Sequence, residues 1–164
     1  MLTLTDIKAH KPCARGWWHL LHGLGKRRAD REPLTLIQVL DINGLEDAIW
    51  CLCALPASEE PRIRAFTAAV ARTALPQLPD HVGRAAERII EWFERGAPDD
   101  ERQAVRNGDE TLVQYSISGN NTAKIAITFL TATKPTYDIA QYVAYHALRA
   151  NAQGLEPIFK EHFQ

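Results

Sequence analysis

The sequence predicts an all-α fold: a single-domain bundle of about seven to nine helices in stacked hairpins. Three observations favour this fold. Apolar residues recur at helical spacing along most of the chain. Proline or glycine ends nearly every such stretch. The connections that remain are short, as is usual between packed helices. We therefore assign residues 1–164 to one helical domain.

The first two predicted helices lie before residue 26. Thr3 or Thr5 can cap a first helix that ends near His10. Pro12 opens a second helix, and Gly25 ends it. One stripe of this second helix is apolar and contains Cys13, Gly16, Trp17, Leu20, Leu21 and Leu24. Trp18 lies off that stripe, so its ring must pack against a neighbour or contact a partner.

The stretch 36–55 is the predicted centre of the fold. A short helix comes first, and a turn at Gly44 joins it to a second helix that Asn43 can cap, with Glu46 completing the capping box. No charged residue occurs between positions 48 and 55. We therefore expect a core helix that is buried on nearly every side and stops at Pro56.

Four further helices follow from apolar periodicity. Their starts are predicted near Ser58, Asp80, Thr136 and Leu155. Their inward faces are predicted to contain Ile63, Phe66, Val70 and Ala74; Val82, Ala86, Ile89 and Phe93; Ile139, Tyr142, Val143, His146 and Ala150; and Leu155, Ile158, Phe159 and Phe163. The last helix is expected to dock on the core.

Residues 109–133 allow two interpretations. Val113, Tyr115 and Ile117 alternate with polar residues, and a second alternating run follows a glycine-asparagine turn, which is the pattern of a β-hairpin. The alternative is a helix over 122–133, which the helical surroundings favour. A short polar helix over 98–107 is expected to precede this region.

Composition limits the classes of function. The chain is 46% hydrophobic and 24% charged, with a net charge of −1, so no overall field attracts nucleic acid or an anionic membrane. Two of the three cysteines, Cys51 and Cys53, share one predicted helix and cannot form a disulfide with each other. Free thiols, the lack of a signal-peptide pattern and the lack of a long apolar run together predict a cytoplasmic protein.

Motifs for catalysis are sparse. The sequence has no nucleotide-binding glycine loop and no zinc-protease motif. The one conceivable metal cluster consists of His10, Cys13, His19 and His22, but structural zinc sites usually add a second ligand pair. We therefore expect surface histidines, no catalytic residue, no metal and no cofactor. Cys51 and Cys53 have the wrong spacing for a redox motif and are expected to be inert.

Several short motifs within residues 5–70 resemble a family of small helical proteins of phages and mobile elements, often labelled immunity proteins. The residues that carry the resemblance are Asp6-Ile7-Lys8, Pro12-Cys13, Gly16-Trp17, Leu20-Leu21, Gly25, Glu32-Pro33-Leu34, Leu40, Asn43-Gly44-Leu45, Asp47-Ala48, Trp50 and Leu52. Residues 108–134 depart from the family pattern. The resemblance implies a helical protein that acts by binding, in phage–host or toxin conflict, and it supplies no catalytic residues.

We therefore expect a non-catalytic cytoplasmic inhibitor of a protein partner, either a toxin or a bacterial defence factor, as for an anti-CRISPR or other anti-defence protein. Exposed aromatics beside arginines are typical interface anchors. The expected partner-binding residues are Arg15, Trp18, His22, Lys26, Arg27, Arg28 and Arg31. The second-choice interface is acidic and comprises Asp99, Asp100, Glu101, Asp109 and Glu110.

Two alternatives come from other classes of function. One is a small metal-dependent enzyme that uses the group His10, Cys13, His19 and His22. The other is a nucleic-acid-binding module that uses the basic run from Lys26 to Arg31. A metal assay and salt-dependent retention on DNA or RNA distinguish these alternatives from a protein inhibitor.

Overall fold

The computed structural model describes residues 1–98, 101, 135–149 and 154–164. Helix accounts for 74% of these residues, which confirms the all-α prediction for the part of the chain described. Eight α-helices lie within it: α1 Leu4–Ala9, α2 Ala14–Gly23, α3 Leu36–Asn43, α4 Leu45–Trp50, α5 Glu60–Arg72, α6 Asp80–Glu94, α7 Thr136–Arg149 and α8 Leu155–Phe163. The hairpin predicted for 109–133 and its helical alternative lie outside the described residues, as does most of the polar helix expected over 98–107.

Helix α5 is the centre of the packing. Helices α6, α7 and α8 all contact it. Phe66 of α5 is fully buried, and its ring meets the rings of Phe159 and Phe163 edge-on at centroid distances of 5.5 and 5.4 Å. The terminal helix therefore docks on the core, as predicted, and its aromatic side chains complete the environment of α5.

The inward faces of α5 and α6 match the predicted stripes. Ile63, Phe66, Val70 and Ala74 are buried, and so are Val82, Ala86, Ile89 and Phe93. Between the two helices, the guanidinium of Arg72 bridges Glu87 at 2.8 Å and Glu94 at 2.7 Å. Hydrogen bonds to Glu94 and Glu87 raise the pKa of Arg72, so this cation stays charged and links α5 to α6.

In the stretch 36–55 the predicted turn at Gly44, at φ +86°, separates α3 from α4. The helix after this turn is shorter than predicted and gives way to a 3₁₀ turn over Cys51–Ala54. Asn43 is the last residue of α3 and does not cap α4. Gly44 occupies the cap position of α4, and the Asn43 NH₂ group instead donates to Gly16 in α2 and to Asp47 in the first turn of α4. The apolar part of the stretch is largely buried as expected, but Trp50 is only half-buried.

The structure contains a short antiparallel pair of strands that the sequence analysis did not predict. Strand β1, Leu2–Thr3, pairs with β2, Pro33–Leu34. Thr3 also caps α1 in a capping box with Asp6, so the choice of Thr3 over Thr5 is settled. The Thr5 hydroxyl instead donates a hydrogen bond to the Asp30 carbonyl at 2.7 Å, which ties the connection between α2 and β2 to α1.

The predicted inward face of α7 is only partly confirmed: Ile139 and Val143 are buried, His146 is partly buried, and Ala150 lies outside the described residues. The helical spacing places Tyr142 on the inward face, but the residue is 43% exposed. The inward face of α7 is instead made of small and β-branched side chains, namely Ile139, Ala140, Val143, Ala144 and Ala147. The centre of the Tyr142 ring lies 4.3 Å from the centre of the His146 ring. None of the described helices has the length and apolar content to cross a membrane.

Candidate functional site

Helix α2 presents an exposed aromatic side chain. Its start is fixed by Cys13, whose sulfur accepts a hydrogen bond from the Gly16 N–H at 3.3 Å. Leu20 and Leu21 of this helix are buried in the core, while Trp18 lies off the buried face and is 64% exposed. Arg15 and His22, about one turn before and after Trp18, are also exposed. The structure thus brings together the first three residues of the predicted interface.

The basic loop after α2 is partly neutralised by its own acids. Lys26 forms salt bridges with Asp30 at 2.7 Å and Glu32 at 2.8 Å. The hydrogen bonds to Asp30 and Glu32 raise the pKa of Lys26, and the bond from Lys26 lowers the pKa of Asp30. Arg27, Arg28 and Arg31 are exposed. Lys26 therefore holds the loop together, and the arginines are the cations that face solvent.

Only one of the five residues of the acidic second-choice interface belongs to the described part of the chain. Glu101 is exposed and forms a salt bridge with Arg95 at 2.5 Å. Asp99, Asp100, Asp109 and Glu110 lie outside the described residues.

The group considered as a metal site does not converge. Among the residues that the structure describes, no three histidine, cysteine, aspartate or glutamate side chains are placed to hold a metal ion. His10, Cys13, His19 and His22 all belong to that part of the chain and are all exposed. The alternative of a metal-dependent enzyme at these four residues is therefore not supported by their geometry.

A cavity between α2, α3 and α4 was not found by reasoning from the sequence. We call it the α2–α4 cavity; its volume is about 260 Å³. It is lined by Ile7, Pro12, Cys13, Gly16, Trp17, Leu20, Val39, Asn43, Glu46, Asp47, Trp50 and Cys51. Two tryptophans and several aliphatic side chains supply most of the wall, while an amide and two carboxylates supply the polar part.

The polar part of the α2–α4 cavity is organised by Asn43. Its Nδ2 donates to the Gly16 carbonyl at 2.8 Å and to Asp47 Oδ2 at 2.7 Å. Its Oδ1 is buried and accepts no hydrogen bond from any described residue. Gly16 is required at this place because a Cβ there would lie 2.7 Å from Asp47 Oδ2.

The charge of the α2–α4 cavity is of one sign. Glu46 and Asp47 line it, and no lysine, arginine or histidine of the described chain does. Neither carboxylate forms an ion pair with a cation among these residues. The cavity is therefore an apolar, tryptophan-walled space with a negative, acceptor-rich edge.

A second depression adjoins the first. This α4–α7 groove, of about 370 Å³, shares Glu46 and Trp50 with the α2–α4 cavity. It is also lined by Ile49, Gln141, Tyr142, Ala144, Tyr145 and Leu148. Tyr145 is 50% exposed and Leu148 38% exposed, and the guanidinium of Arg149 lies 5.1 Å from the centre of the Tyr145 ring. The groove thus has exposed aromatic surface, with an arginine beside Tyr145.

The cysteines of the 3₁₀ turn are not nucleophiles at neutral pH. Burial, with smaller effects from the charges of Cys53 and Asp47, raises the pKa of Cys51 to about 12. Burial also raises the pKa of Cys53 to about 11. Both thiols stay protonated near pH 7, in agreement with their expected inertness. Cys13, at the α2–α4 cavity, is the exposed free thiol.

No protein-family model, curated protein or solved structure matches the chain. The chain's own surfaces are therefore the basis for assigning it a function.

Proposed function

We propose that this protein is a non-catalytic binding protein that inhibits a partner protein in phage–host or toxin conflict. The partner is a bacterial defence factor, as for an anti-CRISPR protein, or a toxin, as for an immunity protein. The observation that carries the proposal is the exposure of Trp18 between Arg15 and His22 on α2. Tryptophan and arginine are enriched among the residues that dominate the energetics of protein interfaces. The tryptophan ring buries a large area at little cost in side-chain entropy.

The primary interface in this proposal is the outer face of α2 with the loop that follows it. Arg27, Arg28 and Arg31 give this surface a positive edge, and Lys26 keeps the loop in shape through Asp30 and Glu32. An acidic surface on the partner is its electrostatic complement. The sequence resemblance over residues 5–70 supports the setting of phage–host or toxin conflict.

The test is capture of the partner from a host lysate by the tagged protein, with identification by mass spectrometry. Trp18→Ala and Arg28→Glu should each reduce capture at least several-fold without changing the melting temperature. The loss caused by Arg28→Glu should be larger at low salt, where charge steering is unscreened.

Arg84→Glu is the matched control for Arg28→Glu. Arg84 is an exposed arginine of α6, and its reversal changes the net charge by the same amount. Equal loss of capture in the two charge reversals, or full capture by both Trp18→Ala and Arg28→Glu, would rule out the α2 face. Tyr145→Ala would then test the α4–α7 groove. Failure of the unaltered protein to capture any specific partner would contradict the proposed function itself.

A further inference from the structure

We propose that the α2–α4 cavity receives an arginine side chain of the partner protein. This inference rests on the proposed function and deepens it, since it names a chemical group that the partner must present. The α2–α4 cavity lies on a different side of α2 from Trp18: Trp17 lines the cavity, while the neighbouring Trp18 projects into solvent.

The size of the cavity favours a single side chain as its occupant. Sites for drug-sized ligands and cofactors usually measure about 300–1,000 Å³. At about 260 Å³, the α2–α4 cavity is smaller than that range. Its rim reaches the protein surface, because two of the residues that line it, Cys13 and Glu46, are exposed. A side chain that projects from a docked protein can therefore enter from that surface.

The charge of the cavity selects a cation. Glu46 and Asp47 place two carboxylates at its wall, and no basic residue among those described lines it. Asp47 is held at this wall by the hydrogen bond that Asn43 Nδ2 donates to its Oδ2 at 2.7 Å. An anion would be repelled here, and a purely apolar anchor would remove the carboxylates from water without a compensating charge.

The shape of the wall favours arginine over lysine. A guanidinium carries five donors and no acceptor, so it matches a site in which the carboxylate oxygens of Glu46 and Asp47 accept. Its planar face also stacks on aromatic rings, and Trp17 and Trp50 provide two of them. The aliphatic stem of an arginine is suited to the apolar lining, which includes Leu20 and Val39.

The probe for this site is N-acetyl-arginine amide, which has a guanidinium but no terminal charges. N-acetyl-citrulline amide is its control, since a neutral urea replaces the guanidinium at nearly the same shape. Both are titrated into the full chain, with tryptophan fluorescence and the rate of Cys13 alkylation as readouts. We expect the arginine amide to bind and to slow alkylation of Cys13. The affinity of the citrulline amide should be lower by at least about tenfold.

The variants separate charge from structure. Glu46 is exposed and makes no hydrogen bond within the described chain, so Glu46→Gln should fold normally while weakening the arginine probe several-fold. Glu161→Gln is the matched control, because Glu161 is an exposed glutamate of α8 that does not line the cavity. It should leave the affinity unchanged. Glu46→Gln should also weaken capture of the partner, and Glu161→Gln should not.

Each other outcome has a definite meaning. Equal binding of the two amides, or no protection of Cys13, overturns the inference and leaves the capture result to decide the proposed function. Binding of the arginine amide with undiminished capture by Glu46→Gln would make a free guanidinium compound the occupant and would overturn the partner contact. Binding of the arginine amide without capture of any partner would overturn the proposed function. It would show a guanidinium-binding site that serves no protein partner.

Discussion

Asn43 shows how a side chain that suits a local role can instead contact a residue that is distant in sequence. Its position before Gly44 suits a helix cap, and the sequence predicts one there. In the structure its amide bonds to Gly16 of α2 and Asp47 of α4. The Gly16 carbonyl is 27 positions away, so no window of local sequence contains it. Local capping rules therefore identify Asn43 as important but assign it the wrong partner.

The close approach around Gly16 gives a prediction at the same scale. In Gly16→Ala the new Cβ would lie 2.7 Å from Asp47 Oδ2 and 3.2 Å from Cys13 Sγ. Asp47 cannot move away without weakening its bond to Asn43, so we expect a loss of about 1–2 kcal/mol in the free energy of unfolding. Urea unfolding followed by circular dichroism measures this loss.

Gly83→Ala is the matched control in another helix. Gly83 lies in α6, and the atom nearest to a methyl group at this position would be the Leu75 carbonyl oxygen, 4.0 Å away. With no clash, alanine should stabilise the helix by up to about 1 kcal/mol. The same sign of change in both variants would show that the contact at Gly16 does not constrain the fold.

At the scale of elements, the amphipathic helices were predictable, but which of them lies at the centre of the packing was not. The stripes of α5 and α6 follow from spacing alone, because a period of 3.6 residues places Phe66 or Ile89 on an inward face. Which helix lies at the centre depends on packing between distant segments. The pairing of β1 with β2 is likewise non-local, since two strands of two residues each carry almost no periodic signal.

The position of α5 predicts where truncation is most harmful. Phe66 is fully buried against Phe159 and Phe163, so Phe66→Ala should cost about 3–5 kcal/mol of unfolding free energy. Trp50→Ala should cost less, because Trp50 is half-buried between the two depressions. Urea unfolding of the two variants compares them directly. An equal or larger loss for Trp50→Ala would restore the stretch 36–55 as the centre of the fold.

At the scale of the whole molecule, part of the candidate site follows from the sequence. The exposure of Trp18 and of the loop arginines was predictable, because both lie outside apolar stripes. The salt bridges of Lys26 within its own loop were not, since they depend on a turn that brings Glu32 back to it. The α2–α4 cavity was also not predictable, because four helices and the 3₁₀ turn contribute to it and each contributes only a few side chains. Its signal was present only as the motif residues Gly16-Trp17, Asn43 and Asp47.

The stability of the whole chain should fall in alkali because of a buried thiol. Burial raises the pKa of Cys51 in the folded chain from its ordinary value of 9.0 to about 12. The folded state therefore holds a proton that the unfolded state releases above about pH 9. The resulting stability is complete below that pH and is lost as the pH rises towards 12, at up to about 1.4 kcal/mol per pH unit. Unfolding free energies from urea titrations between pH 8 and 11 measure the slope.

Cys51→Ala isolates this contribution from the other groups that titrate in alkali. The substitution removes a buried side chain, and the lost packing should lower the free energy of unfolding by an amount that does not depend on pH. It also removes the ionisable thiol, so the difference between the variant and the unaltered chain should shrink as the pH rises above 9. A constant difference from pH 8 to 11 would mean that the Cys51 thiol ionises as readily in the folded chain as in the unfolded one. Water would then reach the inner wall of the α2–α4 cavity, where Cys51 lies.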